Sequence, residues 1–285
     1  MDRRELLHQV RELIELDRGF GVEFVPRRAA AATAPATLPP AALAPAIVPT
    51  PRAVAAPAAP TPVVARSPAA TPPAPAAPSG VVVGSSDQAV PGEDLAAIHL
   101  AISTCRACGL CATRTTTVPG EGAQPTALMF IGEGPGAEED AQGRPFVGPA
   151  GQLLDKMIRA MGLARAEVFI TNVVKCRPPG NRNPEPAEIQ ACSGFLQRQI
   201  TLLQPQVICT LGNVPLRALF GAEQPGITRV HGQKLSLAHR GHAITVIPTF
   251  HPSYLLRNEQ AKKPAWEDLQ VVLKELGRSL PKRGG

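Results

Sequence analysis

The sequence predicts an α/β fold, a parallel sheet covered by helices, and two observations predict it. Short, continuously apolar runs recur at 126–132, 168–175, 207–212 and 244–250, and stretches with helical apolar spacing alternate with them. Strands that are apolar on both sides belong in a sheet buried on both faces, and strand–helix alternation supplies the parallel crossovers.

The elements can be justified in chain order. Residues 2–17 place Leu6, Val10, Leu13 and Ile14 on one helical stripe with Leu7 beside it, Asp2 and Glu5 have capping-box spacing, and Gly19 follows as a stop. An amphipathic helix is therefore expected within 1–20. It either docks weakly on the rest of the chain or serves as a tethered hook for a protein partner. Sixteen of the 32 prolines fall between Pro26 and Pro91, and no acidic residue occurs between Glu23 and Asp87. Such an Ala/Pro/Thr/Val tract buries too little apolar surface to offset the entropy of ordering it, so 21–93 is expected to be a disordered, partly polyproline-like linker. The folded body is then 94–285.

In that body, 126–132 (TALMFIG) is the first strand and runs into a glycine-rich turn. A helix over 150–162 turns Leu153, Leu154, Met157, Ile158 and Met161 inward, and 168–175 (VFITNVVK) is the second strand. A long helix over 186–203 leads to a third strand at 207–212, a helix at 214–220, a fourth strand at 244–250 and a closing helix at 264–278. Ligands of such sheets bind beyond the carboxyl ends of the strands. Glu133, Asn172 and His251 fall at those ends.

Charge is unevenly placed. From Ala96 onward there are 21 Lys and Arg against 14 Asp and Glu, whereas the first 95 residues hold 8 against 9. A basic body favours a polyanionic partner. Residues 1–20 are charged throughout and lack the apolar core of a secretory signal, and no run approaches the ~18 apolar residues of a membrane span. A cytoplasmic protein without a membrane partner is expected. Six cysteines in such a chain point to metal ligands or free thiols, not disulfides.

Four motifs carry chemistry. Cys105 and Cys108 have CxxC spacing, and Cys176 and Cys192 form a second pair; together they can supply four thiolates to a [4Fe–4S] cluster or to zinc. Cys111 extends the first pair to a ferredoxin-like run, and Cys209 lies in mid-strand as a core residue. The second motif is Gly132-Glu133-Gly134-Pro135-Gly136, followed by Glu138, Glu139, Asp140 and 143–148 (GRPFVG). It lacks the Lys-Ser/Thr pair of a phosphate loop; its glycines let the backbone approach a flat ligand, and spacing alone reads its acids as solvated. The third, 171–182 (TNVVKCRPPGNR), sets the carboxamide of Asn172 at a strand end, where donor and acceptor stand side by side. The fourth is 251–258 (HPSYLLRN), which places His251 at the end of the last strand.

In this order, with the cysteine pairs interleaved, the motifs resemble the family-4 uracil-DNA glycosylases, the iron–sulfur branch of the uracil-DNA glycosylase superfamily, over about residues 100–276. The resemblance implies a three-layer α/β/α sandwich with a central four-stranded parallel sheet, and an enzyme that flips uracil from single- or double-stranded DNA and hydrolyses its N-glycosidic bond. It implies Cys105, Cys108, Cys176 and Cys192 as ligands of a [4Fe–4S] cluster, with Cys111 and Cys209 outside the set. Gly132, Glu133 and Gly134 match the uracil-contacting loop, Phe146 the ring that stacks on the extruded base, Asn172 the uracil-reading amide and His251 the histidine of the final motif. The Asn172 carboxamide suits the O4/N3–H edge of uracil and mismatches cytosine.

Two departures from neighbouring families matter. Gly134 stands where family-1 enzymes carry a water-activating aspartate, which leaves Glu133, with Glu139 in reserve, to position the water. The segment 178–188 (PPGNRNPEPAE) lacks the basic, histidine-containing insertion of a cross-linking subgroup, so turnover is expected. Arg182 and Arg257 are expected at DNA phosphates, and Leu255 or Leu256 in the vacated base stack. The expected state is a monomer, nucleoid-associated. A second reading is a non-catalytic iron–sulfur module that senses uracil beside a polymerase; a third is an electron carrier using Cys105, Cys108 and Cys111.

Overall fold

The computed structural model describes residues 79–81 and 92–280, so the helix expected within 1–20 and most of the expected linker lie outside the described residues. The strands are β1 (Ser79–Val81), β2 (Glu121–Gly122), β3 (Leu128–Gly132), β4 (Phe169–Asn172), β5 (Val207–Leu211), β6 (Leu235–His239) and β7 (His242–Thr249). The helices are α1 (Leu95–Ser103), α2 (Ala137–Gln142), α3 (Pro149–Ala160), α4 (Pro186–Leu203), α5 (Asn213–Phe220), α6 (Ile227–Val230), α7 (Pro252–Leu255) and α8 (Lys262–Glu275).

All strands join one sheet in the order β1-β6-β7-β5-β3-β4-β2. Its centre is the parallel set β7-β5-β3-β4, formed by the four expected apolar runs. Every residue of β3, β4 and β5 is buried, as a sheet covered on both faces requires. Alternation then sorts the side chains. Phe130, Ile170, Cys209 and Ile247 pack with Leu154, Met157 and Ile158 of α3 and Leu269 and Val272 of α8. Met129, Ile131, Phe169 and Ile208 pack with Ile98 and Ile102 of α1, Leu196 and Ile200 of α4 and Leu216 of α5. The result is the α/β/α sandwich.

The sheet is wider than its parallel centre. β6 runs antiparallel to β7 through a turn at Arg240 and Gly241, both left-handed (φ 47° and 81°), as a two-residue hairpin demands. The signal was the alternation in 235–239 (LSLAH), whose buried and exposed positions alternate strictly. β2 pairs antiparallel with β4, and β1 adds a parallel edge inside the stretch expected to be linker, where Gly-Val-Val-Val replaces proline and favours an extended strand. The second strand also ends earlier than expected, at Asn172. Beyond it the chain leaves the ladder, and the buried Lys175 folds back to donate to the Asn172 carbonyl at 2.7 Å and to Thr171 Oγ1 at 2.6 Å. Among the described residues no helix is long and apolar enough to cross a membrane.

Candidate active site

The carboxyl ends of β3, β4 and β7 open into a cavity of about 700 Å³, bordered by Glu133, Gly134, Phe146, Asn172, His251 and Arg257. Three motifs far apart in sequence thus meet where a parallel sheet exposes its strand ends.

Gly132 ends β3 and makes the meeting possible. A Cβ there would fall 2.4 Å from Asn172 Oδ1 and 2.5 Å from Phe146 Cζ, so only glycine lets carboxamide and ring close over the strand. Asn172 ends β4, is 1% exposed, and its Oδ1 is buried without a hydrogen-bond partner. A buried acceptor left unpaired costs about 1–3 kcal/mol, and such a group beside a cavity is built for a donor that arrives with a ligand.

Phe146 stands in the left-handed region (φ 51°), which a bulky residue adopts only at a cost of about 1–3 kcal/mol. Its surroundings hold it there. Arg165 donates to the carbonyls of Pro145 and Phe146, and α3 begins so close behind that a Cβ on Gly151 would sit 1.9 Å from the Phe146 oxygen. The ring lies 5.8 Å, centroid to centroid, from the His251 imidazole.

His251 caps α7. Its Nδ1 accepts from the Ser253 N–H at 3.1 Å and lies 2.7 Å from Ser253 Oγ. A backbone N–H can only donate, so Nδ1 is the acceptor and the ring proton sits on Nε2. Burial first, and then Arg257, press its pKa down to about 4, with Glu139 opposing. Near neutral pH the residue is thus a neutral imidazole with a single N–H donor. Glu133 continues from Gly132; its backbone carbonyl accepts from the Val174 N–H at 3.2 Å, and burial raises its carboxyl above the ordinary range. Arg257 has no carboxylate partner among the described residues and stands at the mouth with Tyr254, which stacks on Phe250 at 5.6 Å.

Three expectations need revision. Leu255 is fully buried in the core with α3 and α8, so it has no free side chain to insert into DNA; Leu256, 48% exposed, does. The acids after the glycine turn do not all face solvent. Glu139 Oε1 accepts from the Val147 and Gly148 N–H groups at 2.9 Å each, and Oε2 from Gly136 N–H at 3.1 Å, stapling the glycine turn to the Phe146 loop. Asp140, 3% exposed, accepts from the Thr115 N–H at 2.9 Å. Arg182 borders the cavity, but its guanidinium is already engaged by Glu188 at 2.7 and 2.9 Å. Sequence reading passed over Tyr254, Ser253 and Arg165; the first two sit inside the HPSY motif, while nothing local to Arg165 marks it.

A second cavity, on the α1–α4 face, is bordered by Cys105, Cys108, Cys111, Cys176 and Cys192. Cys209 is buried in β5, among core residues on the opposite face. Cys176 is electrostatically coupled to Cys105 and Cys108, and Cys192 to Cys176 and Cys108. Burial pushes the Cys176 thiol up, opposed by Arg114, and pushes Cys192 up to about 11, opposed by Lys175. Arg114 donates to Cys176 Sγ at 3.1 Å. Among the described residues no group of three or more His, Cys, Asp or Glu is arranged to hold a single metal ion. The donor set suits a larger, sulfur-ligated centre: an apolar crevice with five thiols, no carboxylate, and two cations, Arg114 and Lys175, to balance thiolate charge.

The chain is thus an α/β/α sandwich with an open pocket at its strand ends and a thiol-lined crevice on one face. A model of the Uracil DNA glycosylase superfamily matches residues 119–270, and the chain belongs to that superfamily, within its type-4 group. It is 45% identical over 184 residues to the type-4 uracil-DNA glycosylase of Sulfurisphaera tokodaii, covering 63% of this chain and 84% of that protein. It is 46% identical over 171 residues to the Thermotoga maritima type-4 enzyme, 59% of this chain and 88% of that one. With the type-4 enzyme of Archaeoglobus fulgidus it shares 39% over 192 residues, 66% and 96% respectively.

Proposed function

We propose that the chain excises uracil from DNA, hydrolysing the N-glycosidic bond and leaving an abasic site. One observation carries the reading: the buried, unpartnered Oδ1 of Asn172 borders the same cavity as Phe146 and His251. Uracil N3–H is the donor that oxygen lacks. Cytosine offers an unprotonated N3 there, so the unsatisfied acceptor stays unsatisfied and the wrong base is refused.

The chemistry follows from the groups around it. The target nucleotide leaves the stack, at a cost of a few kcal/mol, and its base slides over the Phe146 ring. Arg257 draws a phosphate to the pocket mouth, and Leu256 occupies the space the base vacates. As the glycosidic bond breaks, negative charge builds on uracil O2. The neutral His251 imidazole donates its Nε2–H there and stabilises the leaving anion without giving up its proton. Glu133, ionised, orients the water that adds at C1′ of the oxocarbenium-like sugar and accepts the proton that water loses, while the uracil anion departs to be protonated by solvent. Glu139 holds the loop and is spent on backbone amides, so it acts by positioning.

Cys105, Cys108, Cys176 and Cys192 would hold a [4Fe–4S] cluster, which supplies a cross-link that closes residues 105–192 on one face of the sheet. Cys111 borders the same crevice as a neighbour of that set. A module that merely senses uracil is not favoured, because the cavity carries a leaving-group donor and a water-orienting carboxylate besides the reading amide.

The test is alkali cleavage of uracil-containing oligonucleotides, single-stranded and paired as U·A and U·G, after incubation with the purified chain. Strand breaks at uracil alone are expected. Tight uracil-specific binding with no alkali-labile sites would leave only the sensing module. Iron and acid-labile sulfide near four each per chain, with a broad visible absorption, are expected for the cluster.

A further inference from the structure

We infer that Arg165 is a positioning residue for uracil excision, acting through Phe146; the inference rests on the stacking role proposed above. Arg165 lies 19 residues from Phe146 in sequence, in the turn Arg165–Glu167 after α3, and does not border the cavity. Its guanidinium is saturated by four partners. Nη1 donates to the Phe146 carbonyl at 3.2 Å and to Asp155 Oδ1 at 2.6 Å, Nη2 donates to the Pro145 carbonyl at 2.5 Å, and Nε donates to Glu121 Oε1 at 3.0 Å.

Each partner fixes something different. The two carbonyls belong to the residues that set the backbone turn at Phe146, where φ is 51°. Asp155 lies on α3, the helix that begins three residues after Phe146. Glu121 lies on β2, whose register partner Ile170 is two residues before Asn172 on β4. The guanidinium therefore ties the backbone of the stacking ring to the strand that ends in the reading amide. Three planar nitrogens fanning to two carbonyls and two carboxylates suit arginine; a lysine ammonium reaches one or two of them.

The consequence is specific. Without the clamp the Phe146 backbone relaxes from its left-handed turn and the ring leaves its place over the base. Misplacement of a positioning group by about 1 Å costs on the order of 100-fold in rate.

A double-mutant cycle tests this. Arg165→Met, Phe146→Ala and the double variant are compared for single-turnover uracil excision at saturating enzyme, for affinity to a duplex carrying a non-cleavable abasic analogue, and for thermal midpoint. Arg165→Met is expected to slow excision about 10- to 100-fold while affinity for the abasic duplex stays within about threefold. In the Phe146→Ala background the same change should slow excision by less than about twofold, because the residue through which Arg165 acts is gone. Equal losses in both backgrounds, or a near-native rate for folded Arg165→Met, would overturn the inference. Arg165→Lys, which keeps the charge, carries the same cycle if the methionine variant does not fold. A wild-type chain that excises no uracil would sink the proposed function instead. The clamp is then read from the ¹⁹F resonance of fluorophenylalanine at Phe146, which should shift or broaden in Arg165→Lys and not in Arg198→Lys, whose guanidinium pairs with Glu93; an unmoved resonance rejects it.

Discussion

The two cavities on this sheet share one segment of chain, and they are built on opposite principles. Residues 172–176 supply Asn172 to the strand-end pocket and Cys176 to the cysteine crevice, with Lys175 buried between them. The strand-end pocket holds about 700 Å³ of open volume and keeps a polar atom deliberately unpaired. The crevice holds about 10 Å³, and burial makes the protons of two of its thiols, Cys176 and Cys192, hard to remove. The first is arranged to receive and release a polar, flat ligand. The second is tight and lined largely by sulfur and apolar side chains. A buried polar atom without a partner is a cost that function justifies, and the proposed cluster is the permanent ligand that would suit the thiol-lined crevice.

That contrast can be broken in several places. The largest effect is expected at Asn172→Ala, which should lower uracil excision by about 10⁴-fold, as sites that read a polar edge do, while DNA affinity shifts by less than about threefold. Equal losses of excision and affinity would make Asn172 structural. His251→Ala removes one donor from the leaving anion and should cost about 10²–10³ in single-turnover rate with Kd little changed; a near-native rate would remove it from the mechanism. Cys176→Ser tests the other cavity and should lose the visible absorption together with several degrees of thermal midpoint, whereas Cys209→Ser should keep the absorption.

Neighbouring leucines sharpen the comparison further. Leu255→Ala, in the core, should cost about 2–5 kcal/mol of stability with the chemistry intact in the folded fraction. Leu256→Ala, at the surface, should leave stability nearly unchanged and slow excision from duplex DNA more than from single strands.

The pH profile is the finest probe. Burial raises the Glu133 carboxyl, so excision should fall on the acid side with an apparent pKa above the ordinary carboxylate value of 4.5, and Glu133→Gln should lower the rate and abolish that limb. His251, pressed down to about 4 from 6.5, binds a proton less readily folded than unfolded. It contributes stability fully above pH 6.5 that is lost as pH falls toward 4, so it sets no limb near 6.5 in the rate profile.

Much of this was legible in the chain because the signals are periodic or punctuated. The four apolar runs became the four parallel strands, and the helix expected over 186–203 is α4 to the residue. The three motifs meet at strand ends because parallel topology leaves them nowhere else to point. β6 was missed, since its half-buried alternation is weaker than a continuous run, and α1, capped by Asp94 on the Ala97 N–H at 2.7 Å, was passed over beside the cysteines.

What the sequence determined by itself is the class of fold, the family, and the motif residues that border the strand-end pocket, because apolar period and motif order are local properties of the chain. Tertiary structure alone decided the finer assignments. It buried Leu255 and exposed Leu256, spent Glu139 on backbone amides, brought Cys111 beside the other four thiols, and set Arg165 against the carbonyls of a loop 19 residues away. The physical reason is that a hydrogen-bond partner or a buried face is chosen by whichever element packs alongside. That neighbour is fixed by the sheet order, which no single stretch of chain encodes.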